Sequence, residues 1–100
     1  MTEQTLNIRY EVAQLSELSL QEQELVKKAM KATDNSYANY SHFHVGAACR
    51  LADGTVVIGA NQENAAFPSG LCAERSAIFA AQSNYPEQPI TTLAIAARNE

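Results

Sequence analysis

Leu6, Ile8, Tyr10 and Val12 alternate with polar residues near the start of the chain, the period of a half-buried strand or of an ordered extended arm. The pattern changes at Ser19. "SLQE", from Ser19 to Glu22, has the form of a capping box, and Leu20, Leu25, Val26, Ala29 and Met30 follow at helical spacing. A helix is therefore expected from about Leu20 to Thr33. "DNSYANYSH" then reads as a loop of turn formers, with Tyr37 and Tyr40 as apolar anchors that also carry hydroxyls. Next, "FHVGAACRL" and "TVVIGANQE" flank "ADG", a hairpin signal, because Gly54 can take the positive φ of a tight turn. Phe43, Val45, Ala47 and Cys49 share one face of the first of these strands. "NAAFPSG" is a loop punctuated by Pro68 and Gly70, followed by a helix from about Leu71 to Gln82. "NYPEQPI" ends that helix, and a short, continuous, buried strand is expected at Thr92 to Ala97. The order is strand or arm, helix, hairpin, helix, strand, which implies an α/β fold of three layers with helices covering a sheet.

Composition narrows the classes of function. One hundred residues with 46% hydrophobic content make one domain with a modest core. A net charge of -4, from 11 acidic and 7 basic residues, comes with no basic face long enough to track a phosphate backbone, which disfavours a nucleic acid polymer as partner. The N-terminus has no apolar signal region and no apolar run is long enough to cross a bilayer, so no membrane partner and a cytoplasmic location are expected. Cys49 and Cys72 cannot form a disulfide framework, which also fits a reducing compartment.

The residues with chemistry lie in "SGLCAERSAIFAA", from Ser69 to Ala81. A helix start leaves backbone N–H groups unpaired and its potential is positive, so it suits a thiolate better than an inert core cysteine. On a helix Cys72 and Glu74 leave on nearly opposite sides and converge only on something beyond the helix end. A metal ion there satisfies that geometry, with Cys72 as ligand and Glu74 beside the water without ligating. Arg75, three residues after Cys72, is placed to donate to the thiolate and offset the charge of a cysteine-rich site. Cys49 reads as a core hydrophobe, and His42 and His44 as loop or pocket-rim residues.

"CAER" preceded by "ENAAFPSGL", with "YSHFHVGAA" upstream, closely resembles the small zinc-dependent cytidine deaminases that act on free nucleosides. The resemblance runs from about Leu25 to Ala97. It implies a cytidine deaminase-like three-layer α/β/α sandwich with a mixed sheet. Residues 1–18 would be an N-terminal arm or extra strand, and residues 19–100 the N-terminal part of the domain. It further implies Zn2+ as cofactor, Cys72 as a metal ligand and Glu74 as the proton carrier in hydrolytic deamination at C4 of the pyrimidine. Phe43 and Val45 would line the pyrimidine pocket, and the Ala73 carbonyl would contact the 4-amino group. Asn61 and Glu63, two apart on an extended chain, would bind the ribose hydroxyls, and Glu63 would repel a 5'-phosphate. Cytidine and 2'-deoxycytidine are the substrates implied, in pyrimidine salvage, by a homotetramer. The family's P-C-x-x-C motif, which carries the remaining ligands, does not occur before Glu100. The segment is therefore expected to belong to a longer enzyme and to be inactive by itself. Alternatives of other kinds are a non-catalytic module of the same fold, a deaminase of a cytosine-bearing nucleoside antibiotic, and a thiol redox protein using Cys72.

Overall fold

Ser19 caps the first helix as its sequence requires: its hydroxyl accepts from the Glu22 N–H at 3.2 Å and donates to the Glu22 carboxylate at 2.9 Å. The structure is a computed structural model, and it describes residues 3–38, 42–62 and 72–99. In chain order these hold α1 (Leu20–Ala32), β1 (Phe43–Leu51), β2 (Val56–Ala60), α2 (Ala73–Asn84) and β3 (Ile90–Asn99), with short 3-10 turns at Leu15–Glu17 and Thr33–Asn35. Both long helices and the hairpin lie within a few residues of the expected positions.

The strands form one sheet in the order β2-β1-β3. Alternation along β1 sorts its side chains between two helices. Ala47, Cys49 and Leu51 pack under Ala73, Ala77 and Ala81 of α2, with Val45, Val57 and Ile90 beside them. Ala48 faces the other way, against Leu25 and Ala29 of α1, with Val56, Ala94 and Ala96 at the margins. The result is the expected three-layer arrangement. Cys49 is wholly buried, and burial pushes its thiol above the ordinary range.

Two expectations are narrowed by the structure and two need correction. The alternating segment Leu6 to Val12 forms no strand: it joins neither edge of the sheet, and Val12 is 90% exposed. Leu20 and Met30 keep helical spacing yet are exposed, since only the Leu25, Ala29 and Ala32 stripe of α1 meets the sheet. β1 pairs antiparallel with both neighbours, so the described residues hold an antiparallel portion of the mixed sheet that the resemblance implies, a sheet expected to be incomplete in this chain. A parallel pair needs a crossover to a further strand. β3 is an edge strand, not a buried one. Its Leu93 and Ile95 lie on the α2 side, but α2 sits over β1 and β2 and leaves Ile95 54% exposed.

The hairpin turn has the expected backbone, with Gly54 at φ 92°. Asp53 closes it by accepting the Thr55 N–H at 2.9 Å, and that bond holds its carboxyl below the usual range. A carboxyl lowered by folding stabilises the fold wherever it is ionised in both states, and the gain is lost as pH falls through its folded value. In a side-chain NMR titration Asp53 should therefore protonate below an unstructured Asp, and Asp53→Ala should abolish the contribution. A midpoint at the ordinary value would disprove the contact.

Candidate active site

The second helix starts one or two residues later than its sequence suggests. Cys72 is its N-cap, with extended backbone at φ -73° and ψ 150°, and its carbonyl accepts the Ser76 N–H at 2.9 Å. Its thiol makes no capping bond and is exposed. Because Cys72 precedes the helix, the opposed directions expected for Cys72 and Glu74 on a helical wheel do not apply. Glu74 sits half-buried in the first turn, where the helix dipole favours a carboxylate. Arg75 is exposed, and among the described residues no hydrogen bond joins it to Cys72.

Ala73 is buried against the sheet. Its carbonyl lies over Gly59 of β2, where a Cβ added to that glycine would come within 2.8 Å of it. The backbone group that Ala73 leaves at the open end of α2 is its N–H, since carbonyls of a first turn are directed into the helix.

Phe43 and Val45 lie at the opening of β1, on the face that α2 covers, as their alternation requires. Phe43 is exposed, and Val45 is half-buried against the α2 core. Asn61 follows β2 directly and reaches both of them. Its Oδ1 accepts the Val45 N–H at 3.0 Å, and its Nδ2 donates to the Phe43 carbonyl at 3.1 Å. Glu63, the expected partner of Asn61, lies outside the described residues.

The two histidines part company. His42 is exposed at the entrance to β1, with a left-handed φ of 55°. His44 is buried on the α1 side, where its Nδ1 is bonded to Ser36 Oγ, so it is neither loop nor pocket rim. Arg98, opposite His44 on β3, donates from Nε to Thr33 Oγ1 at 3.0 Å and pairs with Asp34 at 3.2 Å. These bonds tie the turn after α1 to the sheet, and nothing in the residue types of Ser36 or Thr33 announces them.

Among the described residues no three His, Cys, Asp or Glu side chains gather as a metal site. Cys72 suits zinc in both donor chemistry and exposure. Zinc takes at least three protein ligands, so a zinc ion held by Cys72 draws the others from outside the described residues. A depression of about 300 Å³ lined by Lys28, Lys31, Ala32, Asp34, Asn35 and Ile58 lies on the α1 side and takes no part in this constellation.

Comparison with known proteins agrees with this geometry. The family described as the cytidine and deoxycytidylate deaminase zinc-binding region matches residues 1–98. A cytidine deaminase of Halalkalibacterium halodurans is 49% identical over 61 residues, covering 61% of this chain and 46% of that protein. The chain thus spans about half the length of the curated relatives it matches. Among solved structures, cytidine deaminase from Mycobacterium tuberculosis superposes with a TM-score of 0.73 at 34% identity, over 79% of this chain and 63% of that one. Cytidine deaminase from Burkholderia pseudomallei gives 0.71 at 37% identity, over 77% and 61%.

Proposed function

Since the chain belongs to the cytidine and deoxycytidylate deaminase zinc-binding family, we propose that it forms part of an enzyme that hydrolyses the 4-amino group of cytidine and 2'-deoxycytidine to give uridine, 2'-deoxyuridine and ammonia. The observation that carries this reading is the arrangement of α2 and β1. The helix end bearing Cys72 and Glu74 covers the sheet face on which Phe43 and Val45 open.

Cys72 would be one of the ligands of a zinc ion, which when bound would supply a Lewis acid that makes water nucleophilic near neutral pH. The rest of the chemistry belongs to side chains of this chain. Phe43 and Val45 offer apolar walls to a flat pyrimidine and exclude bulk water from C4. Glu74 accepts one proton of the attacking water and delivers it to ring N3, then takes the second from the hydroxyl now on C4 and delivers it to the departing amine, which leaves as ammonia while the C4 carbonyl forms. Arg75, exposed beside Cys72, offsets the charge that a thiolate brings. Glu63, with the one N–H that Asn61 has left, addresses the sugar hydroxyls, and its charge disfavours a 5'-phosphate. The enzyme would work in the cytoplasm as a homotetramer in pyrimidine salvage, which light scattering after gel filtration tests directly.

The deciding experiment compares substrates. The zinc-loaded enzyme containing this sequence should convert cytidine and 2'-deoxycytidine at similar kcat/KM, and cytidine 5'-monophosphate at least tenfold less well, since a carboxylate beside a phosphate costs binding. A preference for the monophosphate or for cytosine in a polynucleotide would remove the role given to Glu63. A full-length protein free of zinc and without turnover would instead support the non-catalytic reading.

A further inference from the structure

Asn61 occupies a branch in the backbone pairing. The β1–β2 ladder descends from Arg50↔Val56 to Gly46↔Ala60, so the next pair in register is Val45 with Asn61. Half of that pair is ordinary, with the Asn61 N–H donating to the Val45 carbonyl at 3.1 Å. The other half is not. The Asn61 carbonyl, which would accept the Val45 N–H in a continuing ladder, accepts the Tyr37 N–H at 3.0 Å instead. The side-chain Oδ1 of Asn61 takes its place at the Val45 N–H, again at 3.0 Å. Its Nδ2 reaches one step further and holds the Phe43 carbonyl. One residue therefore closes the β1 edge with its amide side chain and frees its own carbonyl for a second segment. That segment is fixed in turn: Tyr37 forms a parallel bridge with Gln62, whose side chain donates to the Asn35 carbonyl at 3.1 Å.

Resting on the nucleoside reading above, we propose that Asn61 is a positioning residue, which sets Phe43 and Val45 against the segment 35–37 and so shapes the base pocket whether or not the sugar offers it a hydroxyl. The residue type is dictated by this task. A short side chain with a carbonyl and an amide NH2 satisfies an N–H and a carbonyl of the same strand edge at once. Aspartate keeps the acceptor for Val45 but has no donor for Phe43 and places a charge against that carbonyl. Alanine removes both side-chain bonds.

Two measurements on Asn61→Ala and Asn61→Asp decide the matter. The first is amide hydrogen exchange. Asn61→Ala should speed exchange at Val45 and Tyr37 by roughly tenfold or more while leaving Cys49, deep in the same strand, unchanged. Asn61→Asp should keep much of the protection at Val45. Uniform acceleration along β1 would make Asn61 a general stabiliser, and unchanged exchange at Val45 would remove the clamp; either result overturns the proposal. The second is kinetic, in the zinc enzyme containing this sequence, with cytidine and 2',3'-dideoxycytidine compared for each variant. A positioning residue costs kcat on both substrates by about tenfold or more, because the base is misplaced in each, with any added KM cost on cytidine reporting the remaining N–H on the sugar. A sugar ligand costs only on cytidine and chiefly in KM, and that pattern would overturn the proposal. An unmodified enzyme that turns over neither nucleoside would sink the deaminase reading itself, leaving the exchange experiment to judge the clamp.

Discussion

Gly46→Ala and Gly59→Ala are each expected to lower the melting temperature by roughly 10–20 °C, corresponding to about 2–3 kcal/mol of overpacking in a domain of this size. The two glycines sit in adjacent strands and admit opposite helices. A Cβ on Gly46 would stand 2.2 Å from the Ala29 carbonyl oxygen and 2.7 Å from the Thr33 nitrogen of the α1 layer. On Gly59 it would stand 2.4 Å from the Ala77 nitrogen and 2.8 Å from the Ala73 carbonyl oxygen of α2. All four atoms are backbone, so no side-chain rotation relieves the contact and the helix itself must lift. The consequences differ. Gly46→Ala displaces α1, which carries none of the proposed catalytic groups. Gly59→Ala displaces the first turn of α2, and with it Cys72 and Glu74. Thermal melts should therefore show similar losses, while zinc affinity and turnover of the full-length enzyme fall further in Gly59→Ala. An unchanged melting temperature in either variant would mean that the helix slides freely over the sheet.

Elements governed by local chemistry were legible from the residues alone. Ser19 and Glu22 announce a helix start because the cap is built within four residues, and Asp53 with Gly54 announces a turn for the same reason. The shared face of Phe43, Val45, Ala47 and Cys49 follows from period two once β1 exists. What failed depends on partners distant in sequence. Leu6 to Val12 alternate as a strand would, but a strand exists only where an edge receives it. Leu93 and Ile95 read as buried because they are apolar, whereas their exposure is decided by where α2 stops covering the sheet. His44 lies within β1 whereas His42 precedes it with a left-handed backbone, and the bond from His44 to Ser36 crosses a turn that the pattern does not describe.

The site follows the same division. The grouping of Cys72, Glu74 and Arg75 is visible as a motif, but the extended backbone of Cys72 that sets it outside the helix is not. The amide of Asn61 marks it in the sequence as a polar contact, but only part of the signal for its branching role lies there. An asparagine directly after a strand is an ordinary terminator, and that its carbonyl turns to Tyr37 depends on the path of residues 33–38.

Glu74→Gln carries the largest expected effect on rate. The substitution keeps the length and volume of the side chain in the first turn of α2, at a cost of about 0.3–1 kcal/mol from the lost charge at the helix N-terminus. Fold and zinc content should therefore persist, because the proposed mechanism gives Glu74 no bond to the metal. What the amide cannot do is accept a proton from water and release it to N3, and general acid–base catalysis of this kind contributes on the order of 10²–10⁴ in kcat. The full-length enzyme carrying Glu74→Gln should show that loss in kcat and kcat/KM together, with substrate affinity little changed, since the interaction removed is made only as the proton moves. Glu74→Asp should recover part of the rate by restoring a carboxylate one methylene short of its place. Zinc analysis separates the remaining possibilities: a Gln variant that loses the metal would make Glu74 a ligand, and one with near-normal turnover would remove it from the proton path altogether.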